Sequence, residues 1–304
     1  MAAREVDVPG IAALIAALIS HPLILGADPV PLGAQAPLDQ SLAGSADRHE
    51  RMTVPVAVEG NGPYRFLIDT GSQRTVVSTA LAATLKLPSG PDVQVMGIAG
   101  TNRVATAEVE ELTFGKRLVT GLTVPLLEDR HIGADGIIGT DSLQHDRVLL
   151  DFTRNTMTIG EAKALGGQKG FEIVVTARRR DGRLILTNAV IDGINVDVVI
   201  DTGASATIGN RALQRAMREK GESKGTIDSV TGQSIIAEMG TADKLSLGKL
   251  GIANVLIAYA DAPAFGELDL DKRPAIFLGM REMRAFKRIA IDFPTRKILF
   301  DLPE

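Results

Sequence analysis

Two aspartates set the chemical question. Asp69 stands in Phe66-Leu67-Ile68-Asp69-Thr70-Gly71-Ser72, and Asp201 in Val198-Val199-Ile200-Asp201-Thr202-Gly203-Ala204, 132 residues later. A carboxyl group takes or gives a proton readily, but a single one cannot act as base and acid in the same step. Two of them could divide that work if the fold brought them together. Each follows an apolar run that reads as a buried strand. Each precedes a glycine, whose missing Cβ lets backbone N–H groups come close to a carboxylate. A lone Asp-Thr-Gly would be an ordinary turn after a strand, but this chain writes it twice in the same setting.

The doubling extends well beyond the tripeptide. "DGIIGTDSL" from Asp135 answers to "PAIFLGMREM" from Pro274, and "DFTRNTMTI" from Asp151 to "DFPTRKILF" from Asp292. Gly139 follows Gly71 by 68 residues, whereas Gly279 follows Gly203 by 76. The copies therefore stay in register apart from an insertion in the second, assigned to 261–272. "GEAKALGGQKG" at 160–170 reads as the linker, which divides the chain into lobes at 52–162 and 170–303.

The elements that must position the aspartates are mostly short strands. "MTVPVAVEG" alternates, Asn61-Gly62 signals a hairpin, and "YRFLID" climbs into Asp69. "VATAEVEELTFG", "LVTGLTVPLL" and "RVLLDFTRNTMTIG" continue the series, and the second half repeats the order. Helices are expected at 78–85, briefly after Gly139, and at 210–220. The chain is thus expected to be all-β with a few short helices. In each copy a glycine-containing segment between alternating strands could close over a groove: Gly97, Ile98, Ala99 and Gly100 in the first, Val230, Thr231 and Gly232 in the second.

Composition removes rival chemistries. The 304 residues include no Cys, so disulfides, thiolate metal sites and a Cys nucleophile are absent. A net charge of −4 offers no basic excess for nucleic acid, and with no Trp and two Tyr there is little to stack on bases. His21, His49, His131 and His145 lack ligand spacing, so neither a metal nor a cofactor is expected. The basic run at 178–183 reads as a solvated hairpin tip around Asp181-Gly182.

The doubled motif resembles the aspartic peptidases, and the residues after it place it nearest the retropepsin-like enzymes, here fused into one chain. The resemblance runs over about 52–301. The sequence departs from pepsin-type enzymes in its length, its lack of Cys and the absence of a Tyr in the flap segment. The resemblance implies two lobes about a pseudo-two-fold axis, an active site formed within one chain, and a polypeptide substrate. It implies that Asp69 and Asp201 share one proton and activate a water, with no metal or cofactor. Thr70 and Thr202 would bond across the axis. Gly71, Ser72, Gly203 and Ala204 would support the pair, with the Ser72 hydroxyl donating to Asp69 where Ala204 cannot. The expected activity is that of an aspartic endopeptidase. A second reading is a peptide-binding or scaffolding module on the same fold with little or no turnover.

Arg4 precedes an apolar run over 11–27, which resembles an export signal despite Glu5 and Asp7. Residues 1–27 are read as a signal peptide or membrane anchor and 28–51 as a flexible tether or pro-segment. The expectation is an exported, periplasmic protein, soluble or attached to the inner membrane through this N-terminus.

Overall fold

The structure, a computed structural model, describes residues 51–218, 221 and 223–303, with the backbone of four short strands before them (Ile11–Ala13, Ala17–Leu18, Leu42–Ala43 and Ser45–Ala46). Apart from these strands and Arg51, the expected leader at 1–27 and tether at 28–51 lie outside the described residues.

Each lobe starts from a tight hairpin. Met52–Val58 pairs antiparallel with Asn61–Ile68. Glu59 and Gly60 between them sit at φ of 51° and 69°. Two successive residues at positive φ make a two-residue hairpin loop whose twist suits the strands it joins. The turn therefore falls two residues before the expected Asn61-Gly62, and Asn61 instead pairs with Val58. The second lobe repeats the device between Arg183–Ile191 and Ile194–Ile200, with Asp192 and Gly193 at φ of 43° and 81°.

The apolar runs before the aspartates become central strands, buried on both faces, which is why they do not alternate. Asn61–Ile68 lies between Met52–Val58 and the short parallel strand Gly136–Ile138, with Ile137 opposite Leu67 and Ile138 opposite Ile68. Ile194–Ile200 runs likewise beside Ala275–Leu278. Between its edge strands Ala17–Leu18 and Ser45–Ala46, the first sheet orders Ser89–Gly97, Gly100–Phe114, Arg117–Leu127, Val76–Ser78, Gly136–Ile138, Asn61–Ile68 and Met52–Val58. Between its edge strands Ile11–Ala13 and Arg178–Arg180, the second orders Ser223–Ser229, Ser234–Leu247, Leu250–Tyr259, Thr207–Gly209, Ala275–Leu278, Ile194–Ile200 and Arg183–Ile191. Position for position the topology is the same, so the chain is an all-β protein of two similar lobes.

A third sheet joins the lobes. Arg147–Asp151 pairs antiparallel with Arg288–Asp292, Leu149 meeting Ala290 at the middle. Arg147 Nη2 lies 2.5 Å from Asp292 Oδ2, and both side chains are buried. A buried ion pair stabilises little by itself, but it penalises any register that would leave either charge alone.

The helices are few and short. Thr79–Leu85 is capped by Ser78, whose Oγ accepts from Leu81 N at 3.1 Å. Arg211–Met217 is capped by Asn210, Oδ1 accepting from Leu213 N at 2.8 Å, and stops before the expected 220 because Arg218 turns to φ 56°. The helix expected after Gly139 is a run of turns, closed by three-residue bonds such as Leu143 N to Thr140 O. One helical turn forms just before it instead, at Asp129–Ile132. The second copy does carry a helix in that place, Met280–Met283, and the insertion holds another, Pro263–Glu267. Phe265 from the insertion packs on Phe277 with ring centroids 4.6 Å apart.

Candidate active site

Asp69 and Asp201 leave the ends of the two central strands, Asp69 N bonding Ile138 O and Asp201 N bonding Leu278 O. Both side chains are fully buried. Asp69 Oδ1 accepts from Gly71 N at 2.8 Å and Ser72 N at 2.9 Å. Asp201 Oδ1 accepts from Gly203 N at 3.0 Å and Ala204 N at 3.2 Å. The other oxygens, Oδ2 of each, are buried and take no donor from outside the pair. The two carboxyl groups come close enough to hydrogen-bond each other.

The glycines are required by this approach. A Cβ on Gly71 would stand 2.6 Å from Asp201 Cγ, and one on Gly203 would run into the Asp69 carboxyl group. Each lobe's aspartate thus rests on the other lobe's glycine.

Thr70 and Thr202 bond reciprocally across the axis. Thr70 Oγ1 donates to Ile200 O at 2.7 Å and accepts from Thr202 N at 3.2 Å. Thr202 Oγ1 donates to Ile68 O at 2.6 Å and accepts from Thr70 N at 3.1 Å. Each hydroxyl thereby spends its one proton and takes one donor from the opposite lobe.

Beneath the loops, Gly139 N donates to Thr75 Oγ1 and Gly279 N to Thr207 Oγ1, both at 3.2 Å. Thr75 Oγ1 donates to Asp141 Oδ1 at 2.7 Å, and Thr207 Oγ1 to Glu282 Oε2 at 2.6 Å. Burial pushes both of these carboxyl groups upward. The sequence repeat picks out Gly139 and Gly279 but not these carboxylates. Asp141 stands two residues after its glycine and Glu282 three, so comparing the copies aligns neither type nor position.

The electrostatics separate the two aspartates. Burial raises Asp69 to about 7, against the N–H groups of Gly71 and Ser72, the hydrogen bond from Asp201 and the charge of Arg183. Asp201 is raised well above the ordinary carboxylate range, by burial first and then by the Asp69 charge. The contacts that favour the charged form therefore fall more on Asp69 than on Asp201. The Ser72 hydroxyl, the expected cause, plays no part in this. Ser72 Oγ donates to Arg74 O at 2.8 Å, while Asp69 Oδ1 is already served by two backbone donors. Ser72 and Ala204 act alike, through their N–H groups.

Arg183 was missed outright. It closes the basic run expected to be solvated, yet its side chain is 1% exposed and its Nε donates to Gly71 O at 2.6 Å. Nothing in a run of arginines distinguishes the one that turns inward.

The two glycine-containing segments are hairpin tips that meet each other. Ile98 and Val230 are buried, Ala99 is half-buried, and Gly97 and Gly100 sit against the other tip. A Cβ on Gly100 would stand 2.6 Å from Gln233 Oε1, and one on Gly232 would stand 2.5 Å from the His131 ring. Asn102 Nδ2 donates to Thr231 O at 2.9 Å, and Gln233 Nε2 to Asn102 Oδ1 at 3.1 Å. Asn102 and Gln233 lie just beyond the seven residues read from the sequence and carry no signal that singles them out. Among the described residues, no group of three or more His, Asp or Glu is arranged to hold a metal ion.

The aspartyl protease family model matches this chain twice, over residues 54–142 and again over 187–281, and the chain belongs to that family. Each match contains one Asp-Thr-Gly loop and its brace.

Proposed function

We propose that this aspartyl protease family member is an aspartic endopeptidase whose water is activated by Asp69 and Asp201. One observation carries the reading: two buried carboxyl groups in mutual contact, each held by backbone N–H groups on one oxygen and bare on the other.

Like charges at this separation cannot both persist in a buried site, so one proton is shared. Ionised Asp69 takes a proton from a water lying between the bare oxygens, and the water oxygen bonds to the peptide carbonyl carbon. Asp201 gives its proton to the carbonyl oxygen as the C=O double bond becomes single. Collapse of that intermediate breaks the C–N bond, with the proton on Asp69 passing to the leaving nitrogen and one hydroxyl proton returning to Asp201 as the C=O double bond re-forms. The substrate is an extended polypeptide with apolar flanking residues, lying between the hairpin tips and the aspartates and adding backbone bonds as a strand would. The site is complete within one chain and uses no cofactor. Export to the periplasm belongs to the same proposal and rests on the apolar run at 11–27.

The test is cleavage of an unfolded protein, blocked by pepstatin and lost in Asp69→Asn. Tight peptide binding without turnover by the unaltered protein would overturn the reading.

A further inference from the structure

Building on the peptidase reading, we infer that Arg183 is the counter-ion of the aspartate pair, a positioning residue that anchors the Gly71 loop and favours the singly charged pair. It opens the strand Arg183–Ile191 of the second lobe and reaches across to the first, Nε bonding Gly71 O two residues beyond Asp69. Its charge is buried and, among the described residues, no carboxylate lies within ion-pair distance of it. Its Nη2 is likewise buried with no hydrogen-bond partner. A guanidinium so placed is costly unless an anion compensates it nearby.

Four carboxylates act on it: Asp69 most strongly, then Asp181, Asp201 and Glu267. Asp181 is exposed at the hairpin tip beside Arg180, and Glu267 ends the helix Pro263–Glu267 half in solvent, so water screens both. The aspartate pair has no such screening. Its single negative charge is the field in which Arg183 sits, and the attraction acts equally in reverse.

Symmetry supports a particular role rather than a scaffold common to both lobes. Arg51 stands 132 residues earlier, in the matching place before Met52–Val58, and is also buried. Its Nη2 donates to Ile132 O at 2.7 Å, in its own lobe. Arg183 alone of these two appears among the charges acting on Asp69, and the resulting bias falls on the aspartate whose charged form is the better supported.

The test compares Arg183→Gln, which removes the charge but keeps a donor, with Arg183→Lys, which keeps the charge. Ionisation of the pair is followed in two ways: by carbon NMR of Asp-labelled protein and as the acid limb of kcat/KM against pH. In Arg183→Gln both midpoints should rise by about one pH unit, a tenfold change in proton affinity. In Arg183→Lys they should stay near the wild-type position. An unmoved midpoint in Arg183→Gln, with only KM or melting changed, would reduce Arg183 to a loop clamp or a substrate contact and overturn the inference. Should the Gln variant not fold, the Lys variant decides: a limb in place upholds the role, and one raised by a full unit overturns it. The NMR titration needs no turnover. If the wild type fails to cleave, the peptidase reading falls while the titration still judges Arg183.

Discussion

Ile98 and Val230 exchange lobes. Ile98, at the tip of the first lobe's hairpin, is buried with Ala204, Ile208, Phe265 and Phe277 of the second. Val230, at the tip of the second, is buried with Leu67, Val76, Ile132 and Ile137 of the first. Each tip completes the other lobe's core, so opening one exposes apolar surface on both. Truncating a fully buried Ile to Ala costs about 2–5 kcal/mol in a core. At a hairpin tip the loss is drawn first from local opening rather than from global unfolding. In Ile98→Ala, amide exchange over 95–103 should quicken roughly thirtyfold, for a local loss of about 2 kcal/mol. Melting should move little. Exchange at the wild-type rate would mean that the tip does not pack as described.

Thr70 and Thr202 offer a second measurement. Replacing either by Val keeps the shape but leaves a carbonyl and an N–H of the opposite lobe without partners, at about 1–3 kcal/mol. Both single variants should melt lower and turn over more slowly. The double variant should lose less than the sum, because the four bonds form one network. Strict additivity would show that the two hydroxyls act independently.

Ser72→Ala separates the hydroxyl from the backbone. The hydroxyl serves Arg74 O and the N–H serves Asp69, so the substitution should lower stability by about 1 kcal/mol and leave the acid limb of kcat/KM where it is. A limb displaced toward neutral pH would mean that the side chain turns to the carboxylate in solution.

Asp69→Asn should change how stability depends on pH. In the folded protein the Asp69 carboxyl is raised from 3.8 to about 7, so folding binds its proton more tightly than the unfolded chain does. Its contribution is fully present below about pH 3.8 and is lost as pH rises through about 7. Asparagine does not titrate, yet its Oδ1 can still accept from Gly71 N and Ser72 N. The variant should therefore melt a few degrees above the wild type at pH 8, with the gain vanishing toward pH 4. Thermal scans across that range check it, and a gain that is largest at pH 4 would contradict the burial of Asp69.

Much of this was determined by the sequence alone. The repeat, the apolar strands before Asp69 and Asp201, and the glycines at 71, 139, 203 and 279 are legible because they answer to local constraints. A strand buried on both faces must be apolar throughout, and a backbone that passes against a carboxylate or a carbonyl cannot carry a Cβ. Those requirements act within a few residues and recur in both copies. Other features were decided only by the tertiary structure. Arg178 and Arg183 are the same residue type five positions apart, yet one faces solvent and the other lies beside the aspartates. The direction is set by strand register and by the opposite lobe, which no local pattern contains. The hairpin turn fell at Glu59-Gly60 because pairing across the strands overrode the stronger local preference of Asn61-Gly62. The Ser72 hydroxyl turned to Arg74 because two backbone donors already occupied the carboxylate oxygen. The exchange of Ile98 and Val230, and the bias between two aspartates with near-identical neighbours in sequence, arise from contacts more than a hundred residues apart, where distance and burial, rather than residue type, set the energy.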